Sequence, residues 1–289
     1  MRNPEDTAAL LVEVLPYIRR FVGRVVVVKY GGNALSGSAG GQADALTCFA
    51  EDVVLLRSVG LLPVVVHGGG PQIGDLLGRL GIETEFRDGH RVTDAETLEI
   101  ARMVLVGKVN RDIVSAVNVH GPLAVGLSGE DANLITAEPR SASLGYVGDV
   151  LGIDPTIVRR LLAEGLIPVL ATIGSDAAGQ AYNINADTVA GAVAEALAAE
   201  KLIFLTDVEG VRADPSDPAS LCRQLSAGEL DALVAAGAAQ GGMAPKASAC
   251  SKAVRNGVSR AHILDGRVPH ALLLELFTDG GVGTMVVPT

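Results

Sequence analysis

The chain has 289 residues, a formal net charge of −10, and 48% hydrophobic residues. This length and composition supply enough apolar material for a large core and predict one large α/β domain or two joined lobes. The acidic balance, the lack of a Lys/Arg cluster and the absence of Trp argue against nucleic-acid binding and against aromatic stacking platforms.

The cysteines and the apolar segments bear on the cellular compartment. Cys48, Cys222 and Cys250 are isolated and odd in number, and no two have metal-ligand spacing. We expect reduced thiols in a reducing cytosol. The sequence has neither a signal-peptide layout nor an apolar run long enough to cross a bilayer. The predicted location is therefore the cytoplasm, without a nucleic-acid or membrane partner.

Short apolar runs alternate with helical patterns along the chain. The predicted strands are residues 25–28, 63–67, 123–127, 167–171, 202–205, 261–264 and 284–287, and the clearest predicted helices are residues 42–58, 71–80 and 186–199. Such alternation is typical of a mainly parallel sheet covered by helices on both faces. In these sheets, ligands bind beyond the carboxyl ends of the strands.

Local signals mark two helix starts and one turn. Thr93 with Glu96, and Ser226 with Glu229, match the capping box. Two Asp-Pro pairs within residues 212–224 predict an exposed turn or hairpin.

The first two predicted strands each end in a glycine-rich turn. Lys29 precedes Gly31 and Gly32, so an ammonium lies beside amides that a phosphate can approach closely. His67 precedes three glycines and a helix pattern, which is a second candidate anion site. Each turn also has a structural interpretation, in which Lys29 is solvated and His67 is only hydrogen-bonded. Residue 73 is Ile where a dinucleotide fingerprint needs glycine, and no P-loop is present.

Two polar motifs follow in the middle of the chain. Arg91 lies just ahead of a helix start, where its planar fork can hold a carboxylate or pair with a surface acid. Asn183 and Asn185 share one face of an extended segment, and Asp187 falls in the first turn of the next helix. Helix capping alone needs fewer polar side chains than these.

A last glycine-rich motif precedes Lys246. Paired glycines and Pro245 predict a helix amino terminus directed at a phosphate, with Lys246 adding charge. A plain loop with a solvated lysine is the alternative.

Together these motifs resemble the amino-acid kinase family, and within it the members that phosphorylate N-acetyl-L-glutamate in arginine biosynthesis. The resemblance covers nearly the whole chain, through KYGGNA, HGGGPQI, GHRVTD, NINAD, LTDVEGV and GGMAPK in that order. Kinases of carbamate, aspartate, glutamate and uridylate share the glycine-rich turns. Arg91 combined with residues 183–187 indicates acetylglutamate as the acceptor.

The resemblance implies a fold and a domain organisation. The fold is an α/β three-layer αβα sandwich with a mainly parallel central sheet and two lobes. Residues 24–198 are expected to bind acetylglutamate and to dimerise, and residues 199–289 to bind ATP, within one kinase domain over about 24–266. Residues 1–23 are expected to form a helix used in oligomerisation.

The resemblance also implies the roles of site residues. Lys29 and Lys246 are expected to stabilise the transferring phosphoryl group, and Asp187 to orient both lysines. The expected acetylglutamate ligands are Gly69, Gly70, Arg91, Asn183 and Asn185, and the expected ATP ligands are Gly31, Gly32, Thr206, Asp207, Gly242 and Met243. ATP is the implied co-substrate, with Mg²⁺ held mainly by phosphate oxygens, no side chain assigned as a metal ligand and no tightly bound cofactor.

Both ends of the chain resemble family members that L-arginine inhibits. Residues 7–22 predict an amphipathic helix with a kink at Pro16; in those members such a helix links dimers into a hexamer. The implied arginine-site residues are Tyr17, Lys201, His270, Glu275 and Gly283. We therefore expect a homo-oligomer, either a dimer or a hexamer, and feedback inhibition by L-arginine.

Elementary chemistry fits a carboxylate acceptor. A side-chain carboxyl with a pKa near ~4.3 is ionised at neutral pH, so phosphoryl transfer to it needs no general base. Three alternatives stay open: a kinase of the same fold with another acceptor, a non-catalytic ATP-binding protein of that fold, and, more distantly, a Rossmann oxidoreductase.

Overall fold

The computed structural model describes residues 3–31, 42–87, 89–238 and 242–289. The described helices are α1 (Pro4–Phe21), α2 (Gln42–Ser58), α3 (Gly70–Leu80), α4 (Ala95–Arg102), α5 (Asn110–Asn118), α6 (Thr156–Ala163), α7 (Ala186–Leu197), α8 (Ala227–Ala235), α9 (Met243–Arg255) and α10 (Ala271–Phe277). A π-helical segment, Met103–Val109, joins α4 to α5.

The strands alternate with these helices over most of the chain. They are β1 (Val25–Tyr30), β2 (Leu62–His67), β3 (Phe86–Arg87), β4 (His90–Arg91), β5 (Ala124–Ser128), β6 (Ile135–Pro139), β7 (Val147–Ile153), β8 (Ile167–Ala171), β9 (Ile173–Ser175), β10 (Ala181–Ile184), β11 (Lys201–Thr206), β12 (Gln224–Ser226), β13 (Arg260–Asp265) and β14 (Thr284–Val287). Each strand and helix predicted from an apolar run is therefore present, with ends shifted by a few residues.

The central sheet has the strand order β12-β14-β13-β11-β1-β2-β8-β5. Neighbouring strands from β13 to β5 pair in parallel, whereas β14 is antiparallel to β13. The β-branched run of β1 fits this central position because a strand buried on both faces needs apolar side chains throughout.

Helices cover both faces of this sheet. Val26 and Val28 pack in one core with side chains of α2, α5 and α10. Val27, which points to the opposite face because side chains alternate along a strand, packs in a second core with side chains of α6, α7, α8 and α9. The predicted three-layer αβα sandwich with a mainly parallel sheet is confirmed.

A second, smaller sheet was not predicted. Strands β10, β7, β6 and β9 close on one another in that order, and β3 pairs with β4 as a separate hairpin. Glycines such as Gly148 and Gly174 interrupt the apolar pattern of these short strands. A Cβ at Gly148 would lie 2.7 Å from Tyr182 Cβ, so the tight packing of this sheet depends on that glycine.

The two predicted capping boxes have different outcomes. Ser226 and Glu229 form the predicted box at the start of α8. The box at Thr93 is wrong, because Asp94 caps α4 and accepts the backbone N–H of Thr97 at 2.8 Å. The Thr93 hydroxyl is used elsewhere, since it donates to the backbone oxygen of Arg91 at 2.8 Å.

Helix α1 exposes much of its apolar surface. Leu11 is 64% exposed and Leu15 is 46% exposed, whereas Phe21 at the end of the helix is buried. Pro16 lies inside the helix, as predicted; the kink at Pro16 stays a prediction.

Among the described residues, no helix combines the length and the hydropathy needed to span a bilayer. The division into lobes at 198/199 stays a prediction.

Candidate active site

A cleft of about 680 Å³ opens at the carboxyl ends of β1, β2 and β11. Most residues predicted to bind ligands line it: Lys29, Gly31, Gly69, Gly70, Arg91, Asn183, Asn185, Asp187, Thr206, Asp207, Gly242 and Lys246. Met243 instead lines an adjoining cavity of about 440 Å³, which shares Asp207 with the cleft. Gly32 lies outside the described residues. The cleft thus gathers motifs that are far apart in sequence.

The charged centre of the cleft is one carboxylate between two ammonium groups. Asp187 Oδ1 lies 2.8 Å from Lys29 Nζ, and Asp187 Oδ2 lies 3.3 Å from Lys246 Nζ. Burial opposes ionisation of Asp187, but the charges of Lys29 and Lys246 prevail and hold its pKa below the ordinary value. The trio therefore carries one net positive charge at neutral pH.

Three different elements deliver these groups. Lys29 projects from β1 on the face of Val27, because the two residues are separated by one position. Asp187 lies in the first turn of α7, where the Asn185 side chain caps the helix and accepts the N–H of Asp187 at 2.9 Å. Lys246 lies near the start of α9 and donates to the Gly242 carbonyl at 2.9 Å.

Two glycines allow backbone to approach the cleft closely. A Cβ at Gly31 would lie 2.9 Å from the carbonyl oxygen of Leu205, and a Cβ at Gly69 would lie 2.7 Å from Leu105 Cδ2. Gly69 is the residue before α3, whose free amino-terminal N–H groups attract anions. A side chain at residue 31 would therefore collide with backbone, whereas one at residue 69 would require Leu105 to shift.

Arg91, which also lines the cleft, has a guanidinium group held by several contacts. Its Nη1 donates to Thr84 Oγ1 at 2.8 Å, and its Nη2 donates to the Gly70 carbonyl at 3.0 Å. The guanidinium carbon lies 4.6 Å from the centre of the Phe86 ring. Arg91 is mostly buried, and this burial lowers its pKa without removing the charge. The fixed cation suits recognition of a carboxylate.

Comparison with known proteins decides the family. Residues 24–265 match the amino acid kinase family. An acetylglutamate kinase of Symbiobacterium thermophilum is 54% identical to the chain, over 98% of both sequences. The chain belongs to the amino acid kinase family. The resemblance to the acetylglutamate kinases within that family is confirmed by this identity, and the chain is an enzyme of that class.

Solved structures support the same fold for the kinase. N-acetylglutamate synthase from Neisseria gonorrhoeae, complexed with coenzyme A and N-acetyl-glutamate, has a TM-score of 0.84 and 30% identity. The match covers 97% of the kinase but 63% of the synthase chain. The same synthase complexed with coenzyme A and L-arginine has a TM-score of 0.82 and 29% identity, with 98% of the kinase and 65% of the synthase covered.

His67 supports the glycine-rich turn from within the core of the kinase. Burial lowers its pKa to about 4, so the ring is neutral. Asn110 Nδ2 lies 3.1 Å from His67 Nε2 and donates to the Val169 carbonyl at 2.9 Å. His67 Nδ1 then carries the proton and donates to the Gly68 carbonyl at 3.0 Å. These contacts favour the structural interpretation of His67.

Other residues that line the cleft, among them Thr172 and Arg140, were not predicted from the sequence. Thr172 directly follows β8, so the rule that ligands bind beyond strand ends contained the signal. Arg140 follows β6 in the smaller sheet and pairs with Asp149 at 2.5 Å. No glycine-rich turn or apolar run marks its position.

The residues expected at an arginine site fall into two groups. Glu275 on α10 lies 3.1 Å from Lys201 Nζ and 2.9 Å from His262 Nδ1. Although burial opposes its ionisation, the contacts with His262 and Lys201 lower the pKa of Glu275 to about 2. Tyr17 donates from α1 to Asp279, in the loop between α10 and β14 that also contains Gly283. His270 lies at the other end of α10, against Asp52.

Proposed function

We propose that the kinase transfers the γ-phosphoryl group of ATP to the side-chain carboxylate of N-acetyl-L-glutamate, giving N-acetyl-L-glutamyl 5-phosphate and ADP. The observation that carries this proposal is the trio of Lys246 with the buried Lys29 and Asp187, which lines a cleft together with glycine-rich turns. In this proposal the lysines provide fixed positive charge for phosphate oxygens, and Arg91 provides it for the carboxylate end of acetylglutamate.

The reaction depends on positioning and electrostatics. The acceptor is an ionised carboxylate, so the site needs no general base, and its main difficulty is bringing two anions together. Lys29 and Lys246 stabilise the charge that develops on the transferring phosphoryl group and on the leaving oxygen. Asp187 holds both ammonium groups in place, because its negative charge offsets the repulsion between them.

Mg²⁺ accompanies ATP in this family and neutralises part of the charge on the β- and γ-phosphate oxygens. Among the described residues that line the cleft, Asp187 and Asp207 supply the carboxylates. Both oxygens of Asp187 are already engaged by lysines. The ion would therefore be held mainly by phosphate oxygens, and Asp207, which lines both the cleft and the adjoining cavity, is the carboxylate that could assist.

The two substrates occupy different parts of the cleft. Acetylglutamate binds at the amides of Gly69 and Gly70 and at the polar side chains Arg91, Asn183 and Asn185. Asn183 Nδ2 lies 3.5 Å from Thr93 Oγ1, so that long contact leaves the amide able to turn to a ligand. ATP binds across Gly31, Gly32, Thr206, Asp207 and Gly242, and its remaining part enters the adjoining cavity lined by Met243.

A coupled assay of ADP release tests the function. N-acetyl-L-glutamate, L-glutamate, L-aspartate, carbamate and uridylate are supplied in turn with ATP and Mg²⁺, and hydroxylamine traps any acyl phosphate. We expect rapid ADP release and a hydroxamate with N-acetyl-L-glutamate. Faster turnover of another acceptor, or ADP release without acceptor and without hydroxamate, contradicts the proposal.

We also propose that L-arginine inhibits the kinase by binding beside Glu275, and that α1 joins dimers into a hexamer. The carboxylate of Glu275 on α10, and Tyr17 on α1, a helix that contacts α10, offer partners for a guanidinium and an ammonium group. The exposed Leu11 and Leu15 supply an apolar surface for another copy. The N-acetylglutamate synthase of Neisseria gonorrhoeae, a structural relative, is complexed with L-arginine.

Removal of residues 1–22 separates these two features. Light scattering should give a hexamer for the full chain and a dimer for the truncated one, and the truncated enzyme should need more L-arginine for half-inhibition. A full-length kinase that L-arginine does not inhibit removes the effector proposal. An unchanged mass after truncation removes the role of α1. The division into lobes, 24–198 for the acceptor and dimerisation and 199–289 for ATP, stays a prediction.

A further inference from the structure

A second cavity, of about 480 Å³, lies on the face of the sheet opposite Asp187. Tyr30 of β1 and Phe49 of α2 line it together with residues 266–272 ahead of and within α10. Both Tyr30 and Phe49 belong to the core on the α2 and α10 side. None of the described residues that line the catalytic cleft lines this cavity. The proposed reaction therefore leaves it without a role.

Three potential metal ligands meet at this cavity. Cys48, Glu51 and His270 each offer one ligand atom, and the three atoms lie within 4.8 Å of one another. Cys48 and Glu51 are three positions apart on α2 and so share one face of the helix. His270 joins them from the residue before α10. A thiolate, an imidazole and a carboxylate are the three side-chain ligand types of zinc.

Asp52 orients the imidazole of His270 for this purpose. Its Oδ1 lies 2.6 Å from His270 Nδ1, and its side chain is 4% exposed. With Nδ1 donating to the carboxylate, Nε2 is the ring nitrogen left to bind a cation. Metal-binding histidines very often have such a carboxylate behind them, because it fixes the tautomer and raises the basicity of the ligand nitrogen.

The surroundings of the cluster favour a cation with a bound water. Asp44, Glu51 and Asp52 all line the cavity, and the one described cation beside them, Arg267, is paired with Asp265 at 2.8 Å. The buried hydroxyl of Tyr30 also lines the cavity and has no hydrogen-bond partner among the described residues.

We propose that Cys48, Glu51 and His270 form a site for one divalent transition-metal ion of the zinc class, with water as the fourth ligand and Asp52 orienting His270. The Cys48 thiol releases its proton to solvent as the sulfur binds the ion. The ion fastens α2 to the start of α10 and has no part in phosphoryl transfer. The proposal concerns metal binding alone, so it stands or fails independently of catalysis. It assigns His270, which lies against Asp52, to the metal site and not to the L-arginine site proposed beside Glu275.

Cobalt supplies the direct test, because a Co²⁺–thiolate bond has a charge-transfer absorption in the near ultraviolet. The full chain is freed of metal with a chelator, titrated with Co²⁺, and then titrated with Zn²⁺, which should displace Co²⁺. We expect saturation at one ion per chain, loss of the absorption when Zn²⁺ is added, and a higher melting temperature with Zn²⁺. Absence of saturable binding at one equivalent overturns the proposal.

Variants assign the ligands. Cys48→Ser should abolish the charge-transfer absorption, and the matched control Cys222→Ser should keep it. Glu51→Ala, at an exposed position that spares the fold, should weaken Co²⁺ binding by at least ~10-fold. Asp52→Asn should weaken it by about 10–100-fold, as for other residues behind a ligand. An absorption that survives in Cys48→Ser, or Co²⁺ affinity unchanged in both Glu51→Ala and Asp52→Asn, refutes the assignment.

Discussion

The replacement Lys29→Met tests the central electrostatic argument most directly. Methionine has nearly the length of lysine and suits a strand end whose lysine is 7% exposed, but it carries no charge. The substitution removes the cation 2.8 Å from Asp187 Oδ1 and leaves Lys246 at 3.3 Å from Oδ2. The carboxylate therefore keeps one of its two partners.

The structure sets the size of two effects of Lys29→Met, on stability and on kcat. At 2.8 Å, the gross attraction is ~6 kcal/mol at an effective dielectric constant of about 20. Desolvation offsets much of this, and breaking a buried pair costs about 3–5 kcal/mol. We expect about 3 kcal/mol here because Lys246 remains. Removing one preorganised charge from a transition state lowers kcat by about 10²–10³-fold, so kcat should fall far more than KM rises.

The pH dependence of stability provides an independent test, because the direction of its shift in Lys29→Met can be predicted. Asp187 has a pKa depressed in the folded state, so its ion pairs stabilise the protein above the ordinary carboxyl pKa and are lost as the pH falls through the depressed value. Lys29→Met removes one of the two charges that lower the pKa of Asp187. As the pH falls, the variant should therefore lose the stabilisation from its remaining Asp187–Lys246 ion pair at a higher pH than the parent enzyme loses its own.

The assay is steady-state ADP release with both substrates varied, together with urea unfolding at several pH values. Lys108→Met is the control, since Lys108 forms an exposed pair with Asp112 at 2.8 Å that contributes at most about 1 kcal/mol. A folded Lys29→Met enzyme with kcat within a few-fold of the parent, or with its loss confined to KM, refutes the reasoning.

Three further results are expected. In Arg91→Lys, the lysine cannot reproduce both bonds that Arg91 makes, to Thr84 and to the Gly70 carbonyl. The variant should raise KM for acetylglutamate by about 10–100-fold in steady-state assays with ATP varied in parallel. A change confined to KM for ATP contradicts this prediction. Folding lowers the pKa of His67 from 6.5 to about 4. As the pH falls between those values, the unfolded chain takes up a proton that the folded chain does not, so the free energy of unfolding falls by about 3 kcal/mol. In urea unfolding, His67→Gln should flatten that part of the plot of unfolding free energy against pH. Glu275→Gln should raise the L-arginine concentration for half-inhibition at least ~10-fold, and an unchanged inhibition curve contradicts the effector proposal.

The central sheet was predictable because burial on both faces forces an unmistakable composition. The runs in β1 and β8 are apolar at nearly each position, and both strands begin where the sequence placed them or very near it. The order of the strands was not predictable, since pairing such as β1 with β11 depends on contacts between distant segments. The smaller sheet escaped prediction because its strands are short and glycine-interrupted.

Local competition explains the wrong cap at Thr93. A threonine followed three residues later by glutamate satisfies the sequence rule, yet the hydroxyl of Thr93 is drawn to the Arg91 carbonyl. Asp94, one residue later, offers a charged acceptor to the N–H of Thr97. A charged acceptor near the positive end of a helix binds more strongly than a hydroxyl. The start of α4 therefore moves by one residue.

The ligands of the proposed metal site were not predicted from the sequence, for a related reason. Paired cysteines are the usual sequence signal of a metal site, whereas Cys48 meets a glutamate one turn along α2 and a histidine from the far end of the chain. Only the packing of α10 against α2 places His270 there. The burial of Asp52 carries the same information in retrospect, because a mostly buried carboxylate needs a partner.

Global and local charge have separate consequences in this kinase. The chain carries −10 overall, which opposes the approach of anionic substrates. Among the described residues that line the cleft, however, Lys29, Lys246, Arg91 and Arg140 outnumber Asp187 and Asp207. The amino termini of α3, α7 and α9 add partial positive charge at the same strand ends. A field of this kind falls off within about a Debye length, ~8 Å at physiological ionic strength. Binding of the two anionic substrates, ATP and acetylglutamate, therefore depends on the placement of a few cations and not on the net charge of the chain.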